Sequence, residues 1–252
     1  MDLKLQGKKA LISGSSRGIG HIVARVLAQE GCHVASNGRS QARLSLAVKS
    51  LKGSVGIRGD ASCPKEAGVV IRKAAATLGG LDILVCNVGS GRSVPPGRED
   101  AHEWKRVFEI NLWSATNLIE AARKYLVASK GVVVCVSSIC GLEVVPGAPI
   151  TYSAAKAALH AMIRGLSWPL GRGGIRINAV AAGNILHETS VWAAKMRKER
   201  KKTDEWFKKE VSLQRLGRSQ EIGDVVAFLS SPRTSFVSGA IWVVDGGQTR
   251  GT

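Results

Sequence analysis

Residues 8–20 read KKALISGSSRGIG: an apolar run, a glycine-spaced turn and the start of a helical period. The run at 8–14 predicts a strand, and IGHIVARVLAQEG at 19–31 predicts a helix closed by Gly31. Between them Gly14, Gly18 and Gly20 permit a tight turn, close approach to a pyrophosphate and packing of the helix on a sheet. A helix beginning there offers free N–H groups and partial positive charge to phosphate. The spacing is G-x-x-x-G-x-G rather than G-x-G-x-x-G, and alone it reads equally as an ordinary glycine turn. Its place at the first strand–helix junction favours the phosphate cradle.

The same alternation continues along the chain. HVASNG (33–38), SVGIRGD (54–60), LDILVCNVG (81–89) and GVVVCVSS (131–138) read as strands, as do GIRINAVAAG (174–183) and SGAIWVVDGG (238–247). Helical periods fall at 40–53, about 64–78 and about 99–128, and again around Tyr152. Strand–helix alternation predicts a parallel sheet with helices on both faces. No linker, low-complexity tract or repeat divides residues 1–252, so one domain is expected.

A chain of 252 residues with 44% hydrophobic content can bury a full core. No apolar run reaches the ~18 residues of a membrane span. The opening MDLKLQGKKALISGS lacks the apolar core and cleavage site of a signal peptide, so a cytoplasmic location is expected. Cys32, Cys63, Cys86, Cys135 and Cys140 are scattered without a C-x-x-C pair, which argues for a reducing compartment. The five histidines show no metal-ligand spacing, and no metal is expected. The net charge of +17 fits an anionic substrate or cofactor, or a nonspecific attraction to nucleic acid or membrane surfaces.

In TYSAAKAALHA (151–161) Tyr152 precedes Lys156 by four residues. Helical spacing puts them on one face, where an ammonium favours the phenolate and lowers the phenol pKa, although an isolated pair of this kind reads first as an accident of helical spacing. At the end of the second strand a ribose-binding acid marks NAD sites. Here the chain reads ASNGRS (35–40), with Arg39 after Gly38 and no acid. Arg39 and Arg17 favour the 2′-phosphate of NADP(H), because guanidinium matches phosphate oxygens; the alternative is a pair of solvated surface arginines.

SGSSRGIG, CNVG, SSICG and YSAAK, in that order, resemble the short-chain dehydrogenase/reductase family. EINLWSA, IRINAVAAGNI and GAIWVVDGGQ extend the resemblance over the whole chain. It implies a Rossmann-type doubly wound parallel sheet of seven strands with a helical substrate lid at about 186–212. It also implies that Tyr152 exchanges a proton with the substrate oxygen while Lys156 lowers the phenol pKa and binds the nicotinamide ribose. Ser138 would hydrogen-bond the same oxygen, with Ser137 as the competing candidate. Asn111 matches the asparagine that holds a water in the proton relay. For the cofactor, the resemblance implies contacts from Gly14, Ser16, Arg17, Gly18, Ile19, Gly20 and Arg39. It adds Asp60 and Ala61 near adenine, Asn87 and Gly89 near its ribose, and Gly183 with Ile185 near the nicotinamide amide.

Departures from the family pattern cluster near the nicotinamide side. Cys86 and Val88 replace the asparagine and alanine of N-N-A-G, and Ala182 replaces a proline. His187 stands where a threonine contacts the cofactor, leaving Thr189 or Ser190 as substitutes. The interval from Ser138 to Tyr152 is one residue longer than is commonest in the family. Lys195–Lys209 holds eight Lys/Arg against three acids, interleaved with Met196, Trp206 and Phe207 and preceded by Trp192. That segment reads as an amphipathic lid whose cationic face is either simply solvated or steers an anionic, carrier-bound or nucleotide-linked substrate. Trp242 is placed where family members associate, and a homotetramer is implied. An NADP(H)-dependent reductase of 3-oxoacyl thioesters is the expected function. A sugar or polyol dehydrogenase and a non-catalytic NADP(H)-binding regulator are the alternatives. No nucleic-acid module and no membrane segment is recognised.

Overall fold

The computed structural model describes residues 1–51, 53–188 and 190–250. The chain runs β1 (Lys9–Ile12), α1 (Gly18–Gln29), β2 (His33–Gly38), α2 (Gln41–Lys49), β3 (Val55–Arg58), α3 (Pro64–Leu78) and β4 (Ile83–Cys86). It continues through α4 (Ala101–Phe108), a π-helical turn (Glu109–Trp113), α5 (Ser114–Ser129), β5 (Val132–Ser138) and a 3₁₀ turn (Ile139–Gly141). Then come α6 (Ile150–Arg172), β6 (Arg176–Ala182), β7 (Ile185–Leu186), α7 (Val191–Lys198) and α8 (Arg200–Glu210). β8 (Gly217–Arg218), α9 (Ser219–Ser230), a 3₁₀ turn (Pro232–Thr234) and β9 (Ile241–Val244) complete it.

Seven strands form one sheet in the order β3-β2-β1-β4-β5-β6-β9, all parallel. The expected doubly wound Rossmann-type architecture is therefore present. The central strands are continuous apolar runs because both faces are covered. All of Val132–Ser138 is buried. On one face Leu11, Leu84, Val133 and Cys135 pack with Leu118, Leu159 and Ile163. On the other, Ile12, Val85 and Val134 pack with Val23, Leu27, Ile222 and Val226. Each such side chain contributes about 1.5–3 kcal/mol when fully buried.

Strand order reverses between β1 and the central strand β4. Open α/β sheets bind ligands in the crevice outside the carboxyl ends at such a switch point. The glycine loop, Asn87 and Gly183 follow strand carboxyl ends and Ser138 closes β5, so all four lie along that edge.

The helical stretch read at about 99–128 is not one helix. It resolves into α4 and α5 around the π-helical turn, where Asn111 is 2% exposed. The extra residue in the turn shifts the backbone register and gives the Asn111 side chain local backbone partners. Among the described residues no helix is long and apolar enough to cross a membrane.

Candidate active site

Gly14 and Gly18 adopt φ of +62° and +60°, a region favouring glycine, so the loop after β1 turns sharply into α1. A Cβ at Gly20 would overlap the Asn87 amide and lie 2.7 Å from the Gly14 carbonyl oxygen. The loop is sewn to its neighbours. Ser15 exchanges backbone and hydroxyl bonds with Asn37 at 2.9 and 3.0 Å. Asn87 donates to the Ser13 and Gly14 carbonyls at 3.1 and 3.2 Å. Arg17 occupies the N-cap of α1 without a capping side chain, and the first turn carries no acid. The positive helix end is therefore free to meet an anion, and the cradle fits a dinucleotide pyrophosphate. Ser16 and the half-buried Ile19 flank it, with Ser16 packed against Gly38.

At the end of β2 the Asn37 amide is spent on the Ile57 and Gly59 carbonyls, 3.0 and 3.1 Å away. Arg39 is exposed and reaches Asp60 at 3.4 Å. Burial pushes the Asp60 carboxyl up, but the Ser62 hydroxyl and amide, aided by Arg39, outweigh it and hold it below its ordinary range. Ala61 is buried, and its carbonyl accepts from Asn117 at 3.1 Å. Arg43 was not singled out from the sequence, because it sits in an ordinary amphipathic helix. With Arg17, Ser16, Gly18 and His187 it lines a cleft of about 710 Å³ beside the glycine loop.

The second cluster is built by β5, the turn after it and α6. Tyr152 and Lys156 do share one face of α6, with the Lys156 Nζ 5.8 Å from the Tyr152 ring centroid. The Lys156 Nζ donates to the Val136 carbonyl at 3.2 Å. Burial lowers its pKa to about 8, opposed by the nearby Cys135, Cys140 and Cys86 thiols. The phenol differs from expectation. Burial raises the Tyr152 pKa, the Cys140 thiol adds to that, and a hydrogen bond with Ser138 works against it. In the chain alone, desolvation outweighs any help from Lys156.

Ser138 ends β5 and its hydroxyl accepts from the Cys140 amide at 3.2 Å. Ser137, the competing candidate, is committed instead to the His160 Nε2 at 2.7 Å. Asn111 binds Ser90 through both ends of its amide, at 2.9 and 3.1 Å, and donates to the Val107 carbonyl at 3.0 Å. Its side chain is thus consumed in holding the 89–90 loop against the π-helical turn. A Cβ on Gly89 would stand 3.1 Å from Asn111 Oδ1 and 3.4 Å from Lys156 Nζ, so Gly89 joins the two clusters. Among the described residues no group of His, Cys, Asp or Glu is arranged to hold a metal ion.

After β6, Gly183 packs on Asp245, where a Cβ would meet the Asp245 Cβ at 2.6 Å. Ile185 is 6% exposed in β7, which pairs with β8. Thr189 lies outside the described residues. Ser190 is engaged as the cap of α7, accepting from the Ala193 amide at 3.0 Å and donating to the His187 carbonyl at 2.8 Å. Beyond it, Trp192, Trp206 and Phe207 stack with centroids 4.9–5.2 Å apart, joining α7 to α8. The Trp192 indole donates to Asn184 at 2.8 Å, and Asn184 donates to Gln248 at 2.7 Å. The eight basic residues of Lys195–Lys209 are all exposed, so the amphipathic pattern holds.

Residues 14–249 match the family model described as enoyl-(acyl carrier protein) reductase. The chain is 32% identical to the 3-oxoacyl-(acyl-carrier-protein) reductase of Chlamydia muridarum, over 98% of this chain and 100% of that protein. Its fold is similar to L-sorbose reductase from Gluconobacter frateurii complexed with NADPH and L-sorbose: TM-score 0.93, 27% identity, 100% of both chains. It is also similar to a 7α-hydroxysteroid dehydrogenase complexed with NADH and 7-oxo glycochenodeoxycholic acid: TM-score 0.89, 27% identity, 98% of this chain and 96% of that one.

Proposed function

The chain belongs to the short-chain dehydrogenase/reductase family of oxidoreductases acting on alcohols and ketones, and within it we propose an NADP(H)-dependent reductase of 3-oxoacyl thioesters. The observation that carries the reaction is the convergence of Ser138, Tyr152 and Lys156 where β5 meets α6. A nicotinamide, when bound, supplies or accepts the hydride. The Ser138 hydroxyl donates to the substrate oxygen and stabilises charge building there. The Tyr152 hydroxyl delivers the proton in reduction and removes it in oxidation. The Lys156 ammonium replenishes that proton and holds the nicotinamide ribose, while Asn111 keeps the 89–90 loop in place beside it. Gly14, Ser16, Gly18, Ile19 and Gly20 take the pyrophosphate. Asp60, Ala61, Asn87 and Gly89 take the adenosine end, and Gly183 with Ile185 takes the amide.

NADP(H) is supported by the missing acid at the end of β2 and by two exposed arginines, Arg17 and Arg39. The Arg39–Asp60 pair is no obstacle. It spans 3.4 Å with the arginine side chain 73% exposed, a pair worth little in water. The thioester is supported by the full-length relationship to the Chlamydia muridarum enzyme. The sorbose reductase likeness supports a sugar or polyol as the second reading. α7 and α8 form the substrate lid, their outward charge steering an acidic carrier or other anionic substrate. The chain acts as one domain in a reducing, cytoplasmic setting, which five free cysteines support. It assembles as a homotetramer through the exposed β9 edge, with Trp242 half-buried there beside Phe228. Light scattering of the purified protein checks that assembly, and a monomer rejects it.

The deciding experiment follows nicotinamide absorbance with a short 3-oxoacyl thioester, using NADPH and then NADH. NADPH is expected to win by tenfold or more in kcat/KM. Arg17→Ala and Arg39→Ala are each expected to cost about tenfold with NADPH, the worth of ~1.4 kcal/mol, and little with NADH. Equal use of both cofactors by the parent overturns the arginine argument. No thioester turnover with turnover of ketoses moves the assignment to the second reading.

A further inference from the structure

We infer that His160 is a positioning residue for Ser138, clamping both ends of the turn that carries it onto the helix that carries Tyr152. His160 lies one turn beyond Lys156 and two beyond Tyr152 on α6, so the three share a face. It is 3% exposed, and both ring nitrogens are used. Nδ1 meets the Gly141 carbonyl at 3.2 Å and Nε2 meets the Ser137 hydroxyl at 2.7 Å. A carbonyl only accepts, so Nδ1 carries the proton and Nε2 accepts from Ser137. Burial lowers the His160 pKa to about 4, the Gly141 bond opposes this, and Lys156 and Arg164 add to the lowering. The ring therefore stays neutral near pH 7 and keeps this tautomer.

The two bonds bracket Ser138 at one residue before it and three after it. Side chains alternate along a strand, so Ser137 points towards α6 on the same face as Cys135, which frees Ser138 to point elsewhere. The turn rests directly on the helix at its far end. A Cβ on Gly141 would fall 2.6 Å from the Lys156 carbonyl carbon and 2.8 Å from His160 Cε1. Ser138, Tyr152 and Lys156 reach one point only if β5 and α6 keep their spacing there; Lys156 ties α6 to the Val136 carbonyl within β5, and His160 ties it to both ends of the turn that follows. This role rests on reading Ser138 as the donor to the substrate oxygen.

Two readouts test it. The first is kcat against cofactor affinity. His160→Ala is expected to lower kcat by about ten- to a hundredfold, the cost of misplacing a reacting group by about 1 Å, while the NADPH Kd by fluorescence titration stays within twofold. His160→Asn places an amide donor near the Nδ1 position and is expected to recover most of the loss. The second readout needs no substrate. Cys140 and Cys63 are both half-buried; Cys140 lies inside the clamped turn, its thiol pKa raised by burial, whereas Cys63 stands away from it at the N-cap position of α3. Mass spectrometry of iodoacetamide-treated protein is expected to show the Cys140:Cys63 labelling ratio rise severalfold in His160→Ala and return towards the parent value in His160→Asn. An unchanged ratio in His160→Ala, or an Asn variant as impaired as the Ala variant, overturns the proposal. Should His160→Ala not fold, Ser137→Ala stands in with the same ratio and the same two outcomes. A parent protein inactive on every ketone would defeat the proposed reaction, and the labelling ratio would still decide the clamp.

Discussion

Tyr152→Phe is expected to lower kcat by about 10³-fold while leaving NADPH binding nearly unchanged. Loss of a positioned general acid costs about 10²–10⁴-fold. The ring itself stays, so the packing of α6 on the 138–141 turn survives, and loss of one hydrogen bond to Ser138 costs about 1 kcal/mol of stability. The raised phenol pKa fixes the sign of the pH dependence. Below it the hydroxyl carries the proton that ketone reduction needs, so reduction holds at neutral pH and declines as pH rises towards the phenol's pKa. Alcohol oxidation needs the phenolate, so its rate climbs with pH over the same range. Steady-state rates in both directions between pH 6 and about 10, with parent and variant, measure this. A variant within tenfold of the parent would remove Tyr152 from the chemistry and favour a cofactor-binding regulator instead.

The parts of this molecule that were legible in the chain are those where one physical requirement dominates. Continuous apolar strands alternating with helical periods can bury both sheet faces in few ways, and α3 at Pro64–Leu78 falls where its period and its initial proline put it. Gly14, Gly18 and Gly20 were legible because each answers to a backbone angle or a close contact. The illegible parts are those settled by long-range partners. The π-helical turn follows from Asn111 satisfying Ser90 across 21 residues, which no helical period reveals. That Ser137, the competitor of Ser138, is spent on His160 rests on a partner 23 residues away. The direction of the Tyr152 shift depends on how deeply α6 is covered, a quantity that the Y-x-x-x-K spacing does not carry. The two-residue pairing of β7 with β8 carries too few residues for any pattern.

Lys156→Met is expected to abolish activity and to raise thermal stability at pH 7. Lys156 is 3% exposed, and burial lowers its pKa from 10.5 to about 8 against the pull of three thiols. Carrying that charge in the fold at pH 7 costs about 3 kcal/mol. Met has a similar length and an apolar stem that fills the same space without the charge. Its variant should recover part of that cost, raising Tm by several degrees at roughly 2–4 °C per kcal/mol. Between pH 8 and 10.5 the unfolded chain binds the lysine proton and the native chain does not, so parent stability rises with pH through that window. The advantage of the Met variant is therefore full below about pH 8, shrinks above it and is gone by about pH 10.5. Paired thermal melts at pH 7, 8.5 and about 10 read this directly. A variant less stable than the parent at pH 7, or an offset that ignores pH, would mean that the ammonium is comfortably solvated by its surroundings. A shrinking offset together with lost turnover would identify Lys156 as a charge held in the core at a cost in stability, for which its two roles, the proton transfer at Tyr152 and the hold on the nicotinamide ribose, give the reason.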